Sequence, residues 1–294
     1  MNGIRYIIQI MRSCFRTWRS APRMMMLLGM LACFIGIYSA SFVENARAME
    51  QTLQVTELFI AMLNWRFALL MFGSMILLMY GDLPIVERFT VNAITKGTRR
   101  QWVLGQMAYV VLTSLMLSAF VFVVSVAICL PDVHFDNTWS KPVKMLALGS
   151  RTAIPLKEVT LSFRAYLVKN YTPWGAFGHA FLQFFLLGCF YGMASIALRI
   201  RIKSASFVVL MGVNILSWAT EMFAGSDKIY GILSFFSIGY HTSLAEHEFE
   251  EANAFLPSLG VSYAIMVALI LLLAGLALVY VRRFDYGQME VEHT

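Results

Sequence analysis

Apolar residues in this chain gather into six long runs, at 24–42, 58–80, 103–130, 174–198, 204–223 and 259–281. About 20 apolar residues in helical form cross the hydrocarbon of a bilayer, so each run reads as one membrane span. The residues ahead of the first run follow a different rule. Ile4, Ile7, Ile8, Met11, Phe15 and Trp18 recur at helical spacing, while Arg5, Arg12, Arg16 and Arg19 fall in one adjacent stripe. That pattern predicts an amphipathic helix at a membrane surface, its arginine stems over the lipid boundary and their heads in water. A signal peptide is the other reading of residues 1–23, but the apolar run behind it is a full span. The expected fold is all-α and polytopic. It has an amphipathic segment 1–23, a six-span domain 24–281 and a polar tail 282–294.

One polar stretch, residues 81–106 between the second and third runs, carries complete helix signals. Asp82 suits an N-cap and Pro84 tolerates the first turn, where no backbone donor is needed. Lys96 would meet the negative end of the helix dipole, and Gly97 can take the left-handed turn that ends it. Thr98 and Gln101 then form a capping box that opens the next helix. A short surface helix over 82–97 follows, docked between two spans.

Charge orients these elements. Hydrophobic residues make up 59% and charged ones 14%, against roughly 45–50% and 25% in soluble domains, which places the chain in a membrane. Fourteen of the 23 Lys and Arg lie in the N-terminal segment, in 81–102, in 199–203 and in the tail. The positive-inside bias therefore puts both termini in the cytoplasm. The net charge of +6 borders the apolar runs instead of forming a patch, so no nucleic-acid partner is expected. On the outer side the loop 131–173 is basic, with an interfacial helix expected after Pro155 from Leu156, Val159, Phe163 and Tyr166. Residues 229–240 are apolar yet too short to span, which reads as a re-entrant or interfacial segment. Glu246, Glu248, Glu250 and Glu251 behind it read as a solvated acidic loop.

Candidate chemistry is sparse. The chain has no Gly-Lys pair to end a phosphate loop, no second histidine at metalloprotease spacing after His247, and no nucleophile elbow. Four scattered cysteines, Cys14, Cys33, Cys129 and Cys189, support neither a disulfide framework nor a zinc site. No enzyme activity, bound cofactor or metal is expected of this chain alone. Polar groups inside the apolar runs are the functional candidates, since lipid penalises them by about 2.5–3.5 kcal/mol for a charge. Asn64, Arg66, Asn214 and Glu221 are the candidates for lining a pathway, with His179 and Gln183 in the fourth run. Snorkelling or a bond to Glu221 are the plainer accounts of Arg66. Gly188 and Gly192 form a Gly-x-x-x-Gly pair, which reads first as close helix packing and second as a dimer face.

This order of parts resembles the membrane subunit of a type-2 ABC exporter. The local likeness lies in Gly81-Asp82-Leu83-Pro84 and in Thr98-Arg99-Arg100-Gln101-Trp102 running to Gly105-Gln106. The resemblance implies that two such subunits, identical or not, pair around a pathway. It also implies that helix 82–97 is a coupling helix seated in a separate cytoplasmic ATPase, which holds the ATP and Mg. Asp82 and Pro84 would open that helix, Val86, Phe89 and Ala93 would make its apolar contact, and Glu87, Arg88 and Lys96 its charged rim. A bacterial cytoplasmic membrane and a hydrophobic or amphipathic cargo, a peptide first, complete the expectation. An ion-coupled secondary transporter and a membrane-embedded sensor or enzyme are the alternatives.

Overall fold

A computed structural model describes residues 3–20, 22–85, 98–149, 159, 161, 163–203, 205–220, 227–249 and 255–283. They are mostly helical. In chain order the helices are α1 (Gly3–Ser20), α2 (Pro22–Ala48), α3 (Glu57–Leu63), α4 (Arg66–Met79) and α5 (Arg99–Cys129). There follow α6 (Lys141–Leu148), α7 (Ala165–Asn170), α8 (Pro173–Ile202), α9 (Ala205–Ala219), α10 (Asp227–Ser234), α11 (Ile238–His241) and α12 (Leu259–Tyr280). Short 3₁₀ helices cover Leu244–Phe249 and Val281–Arg283. Strands β1 (Leu53–Gln54) and β2 (Val133–His134) pair in parallel, Leu53 opposite Val133.

Among the described residues four helices, α2, α5, α8 and α12, are long and apolar enough to cross a membrane. The second apolar run is not one rod. It breaks at Asn64–Trp65 into α3 and α4, bent by 82°, and counting that pair as one span gives five. The side chain of Asn64 explains the corner: its amide donates to the Ile60 carbonyl at 2.8 Å, a local bond of the kind that competes with helix continuation. Trp65 then packs with Phe34, Tyr38 and Phe67. The fifth run gives α9, 15 residues in its helical part.

α8 is the centre of the bundle and packs on α3, α4, α5, α9 and α12. Of its most apolar stretch 72% is buried within the protein, against 17% for α12. Small residues make the α5–α8 crossing. A Cβ on Gly188 would stand 2.7 Å from Ser114 Oγ, and one on Gly192 would collide with Val110. The Gly-x-x-x-Gly pair is thus spent inside the chain. Tyr80 joins this crossing, its hydroxyl 2.8 Å from Ser114 Oγ.

α1 forms over the predicted residues but does more than float on lipid. Tyr6, Ile10 and Cys14, one turn apart, are buried. Ile10 lies against Gly105 of α5, and Trp18 donates to the Tyr109 hydroxyl at 2.7 Å. Ile4 and Ile8 stay exposed, with Arg5, Arg12 and Arg16 outward as well. One row therefore binds protein and the next is left for lipid.

Of the interfacial helix expected after Pro155, Leu156 lies outside the described residues, Val159 and Phe163 are not helical, and a short helix begins only at Ala165 after an extended Arg164. Phe163 is buried just before it, and a second helix, α6, is capped by Ser140. The tail beyond 283 also lies outside them.

Candidate functional site

Two ends of the bundle differ in chemistry. At the basic end the described residues flanking 86–97 are tied to several helices at once. Arg23 of α2 grips both carboxylate oxygens of Asp82, at 2.6 and 3.1 Å. Arg199 of α8 donates to the Gly81 carbonyl. Gln106 of α5 pairs with the backbone of Ile85, accepting its N–H at 3.4 Å and donating to its carbonyl at 3.1 Å. The Thr98–Gln101 capping box forms as the sequence anticipates. Beside it Arg99 donates to the Arg282 carbonyl at 2.9 Å, tying the start of α5 to the residues after α12.

Of the docking candidates, Asp82 and Pro84 are described. Residues 82–85 are not helical, so Asp82 does not cap and Pro84 does not open a helix there as the sequence suggested; the Asp82 carboxylate is engaged by Arg23 instead, and Pro84 stands in a bend. Val86, Glu87, Arg88, Phe89, Ala93 and Lys96 lie outside the described residues, as do Gly97 and Glu221.

At the opposite, loop-rich end a buried ionic cluster fills the α3–α4 corner. Arg66 holds Glu246 through one edge of its guanidinium, Nε to Oε1 at 2.8 Å and Nη2 to Oε2. The Tyr230 hydroxyl accepts from Arg66 at 2.6 Å and donates to Glu246 at 2.9 Å. Arg164 adds a longer contact at 3.5 Å. The Glu246 side chain is 1% exposed. Burial alone would push its carboxyl up, but the bond and charge of Arg66, then Arg164 and Tyr230, hold it below the ordinary glutamate value. Glu246 is therefore not the solvated acid the sequence pattern implied, and it, with Tyr230, supplies the partners of Arg66. The signal for it was an arginine eight residues inside an apolar run, which demands a carboxylate from somewhere.

Asn64 serves the same corner. Its Oδ1 accepts the Ala245 N–H at 2.8 Å, which fixes the 3₁₀ helix carrying Glu246. Asn214 lies deeper: it accepts from Tyr191 at 2.8 Å and donates to the Leu70 carbonyl at 3.1 Å and to Ser74 at 3.0 Å, against Gly73. Arg66 and Asn214 both border a narrow, open cleft between α4, α8, α9 and α11, with Tyr191, Trp218, Thr220 and Tyr240. Asn64 does not line it. Of the fourth-run candidates, Gln183 donates to the His241 carbonyl at 3.4 Å, and His179 Nδ1 lies 2.9 Å from the Tyr263 hydroxyl.

Glu57 escaped sequence reading because it sits one residue before an apolar run. It is fully buried. One oxygen accepts the Gln54 N–H at 2.9 Å and the other the Ser140 N–H at 2.6 Å, so one carboxylate clasps two loops. Among the described residues no group of three or more His, Cys, Asp or Glu is placed to hold a metal ion. No family model, curated protein or solved structure matches the chain.

Proposed function

We propose that this chain is the membrane subunit of an ATP-driven exporter of the type-2 ABC kind, working with a separate cytoplasmic ATPase that holds the ATP and Mg. The reading counts six spans, with the bent α3–α4 pair and α9 among them. It puts both termini in the cytoplasm, as the positive-inside bias asks. Two such subunits, identical or different, flank the pathway in a bacterial cytoplasmic membrane. The cargo is hydrophobic or amphipathic, a peptide first.

The observation that carries it is the anchoring of residues 81–85 and 98–106. Arg23, Gln106 and Arg199 hold the near flank to α2, α5 and α8, and Arg99 holds the far flank to the end of α12. A force applied to residues 86–97 enters four helices together, which is what a docked motor needs. Co-purification with its ATPase tests the reading. Phe89→Asp and Glu87→Lys are expected to lose the ATPase while the membrane subunit is still made and inserted. Retention of the ATPase and of full export in both variants overturns it.

A further inference from the structure

His241, at the end of α11, and His247, in the 3₁₀ helix, aim ring nitrogens at one hydroxyl. His241 Nδ1 lies 2.9 Å and His247 Nε2 3.0 Å from Ser262 Oγ, one turn into α12. Both rings are 1% exposed and Ser262 is fully buried. The other nitrogen of each ring faces a backbone carbonyl: His241 Nε2 is 3.1 Å from the Phe235 oxygen, and His247 Nδ1 is 3.0 Å from the Ser243 oxygen. A carbonyl oxygen only accepts, so each of those nitrogens carries a hydrogen.

The proton count then fails to close for two neutral rings. Each would present a lone pair to Ser262, whose hydroxyl has a single hydrogen to give. One ring is satisfied, and the other faces the serine oxygen lone pair to lone pair. Turning either ring over puts carbon against both of its partners, so no flip resolves the conflict. One added proton does. A charged His247 donates to Ser262 Oγ, Ser262 donates to His241, and His241 donates to the Phe235 carbonyl. The mirror arrangement, with the charge on His241, is equally complete, and the hydroxyl can pass the proton between them.

We propose that His241, Ser262 and His247 form a binding site for a single proton, shared through the serine hydroxyl where residues 238–247 meet the last helix. This stands whether or not an ATPase docks at the other end. Groups from every neighbouring element bear on it. Glu246 beside His247 favours the charged ring, while His179 of α8 opposes it. Arg66 of α4 and Arg164 already engage Glu246, with Tyr230 of α10. The Tyr240 ring is 4.9 Å from that of His247, Tyr263 of α12 is bonded to His179, and Lys169 of α7 is exposed. The described part of α9 offers Ser217 and no charged side chain. Burial works against the charge on both rings, so the site fills below the ordinary histidine range.

The test uses the full chain with ¹⁵N-labelled histidine in phosphatidylcholine nanodiscs, reading side-chain ¹⁵N shifts from about pH 8 to about pH 4, a span bracketing the ordinary histidine value. One proton is expected to enter the two rings as a unit, with no doubly charged pair in that range. Ser262→Ala removes the bridge and lowers the midpoint by about one pH unit or more, a tenfold loss of proton affinity. His247→Gln supplies an uncharged N–H to Ser262 and leaves His241 neutral down to about 4. Independent titration of the two rings, no proton uptake above that value, or an unchanged midpoint in Ser262→Ala overturns the proposal. If Ser262→Ala does not fold, His247→Gln decides alone: a His241 that still titrates as in the wild type sinks it.

Discussion

Arg66 and Glu246 lie 180 positions apart in the chain and meet in a bidentate ion pair, with the glutamate sealed from solvent. The pair joins the start of α4 to the segment before α12. Tyr230 bridges its two members, and Asn64, two residues before Arg66, holds the backbone one residue before Glu246.

Removing one partner strands the other charge. Glu246→Ala and Arg66→Met are each expected to cost about 3–5 kcal/mol, read as a large fall in apparent Tm in detergent. The double variant Arg66→Met, Glu246→Met is expected to recover much of that loss. A double variant as unstable as the sum of the singles would show that the two residues do not act as a pair.

Acid is expected to weaken the loop-rich end. His241 is held down to about 4 by burial, and His247 is lowered by the same cause. An unfolded chain takes up these protons from about pH 6.5 downward, while the folded one lags. The stabilisation is therefore present in full above about pH 6.5 and is lost as pH falls towards the folded value. Thermal scans between those limits should show apparent Tm declining with acidity, and His241→Gln should flatten the slope.

Glycine substitutions separate the packed face from the open ones. Gly192→Val drives a side chain into Val110 and Tyr80, and overpacking of this kind costs about 1–3 kcal/mol. Gly36→Ala in α2 meets open space and is expected to be neutral or to gain up to about 1 kcal/mol from helix propensity. Comparable losses at both positions would refute the α5–α8 contact.

Glu57→Gln keeps the shape but turns one acceptor into a donor, aimed at a backbone N–H. An unmet buried group costs about 1–3 kcal/mol. Faster amide exchange should follow at whichever of Gln54 and Ser140 faces the new amide nitrogen, since each gives its N–H to a separate oxygen of Glu57. Protection unchanged at both amides would remove Glu57 as the clasp.

Local features were legible in the sequence. The amphipathic α1, the Thr98–Gln101 box and the Gly188–Gly192 close approach depend on residues within a turn or two of one another. The bend in the second run was not, because hydropathy counts Asn64 and Trp65 as two tolerable positions in an apolar run. The Ala245 N–H and the Ser243 hydroxyl, both far along the chain, are what make use of the Asn64 carbonyl. Glu246 was misplaced for a related reason: four glutamates in six positions look solvated until one finds a buried arginine. Asn214 was picked out correctly as polar within a run, yet its partners Tyr191, Leu70 and Ser74 are visible only once α4, α8 and α9 are packed. The residues 86–97, on which the docking reading depends, lie outside the described part of the chain.

The corner at Asn64 also sets a length. α4 has 14 residues, about 21 Å of rod at 1.5 Å per residue, while the hydrocarbon of a bilayer is about 30 Å thick. Such a mismatch is met by tilt, by local thinning or by polar side chains reaching for the interface. Here the missing thickness falls at the loop-rich end, where Arg66, Glu246 and Tyr230 stand. On the six-span reading, a buried ion pair takes up at that end the length that apolar helix supplies in the full-length α5 and α8.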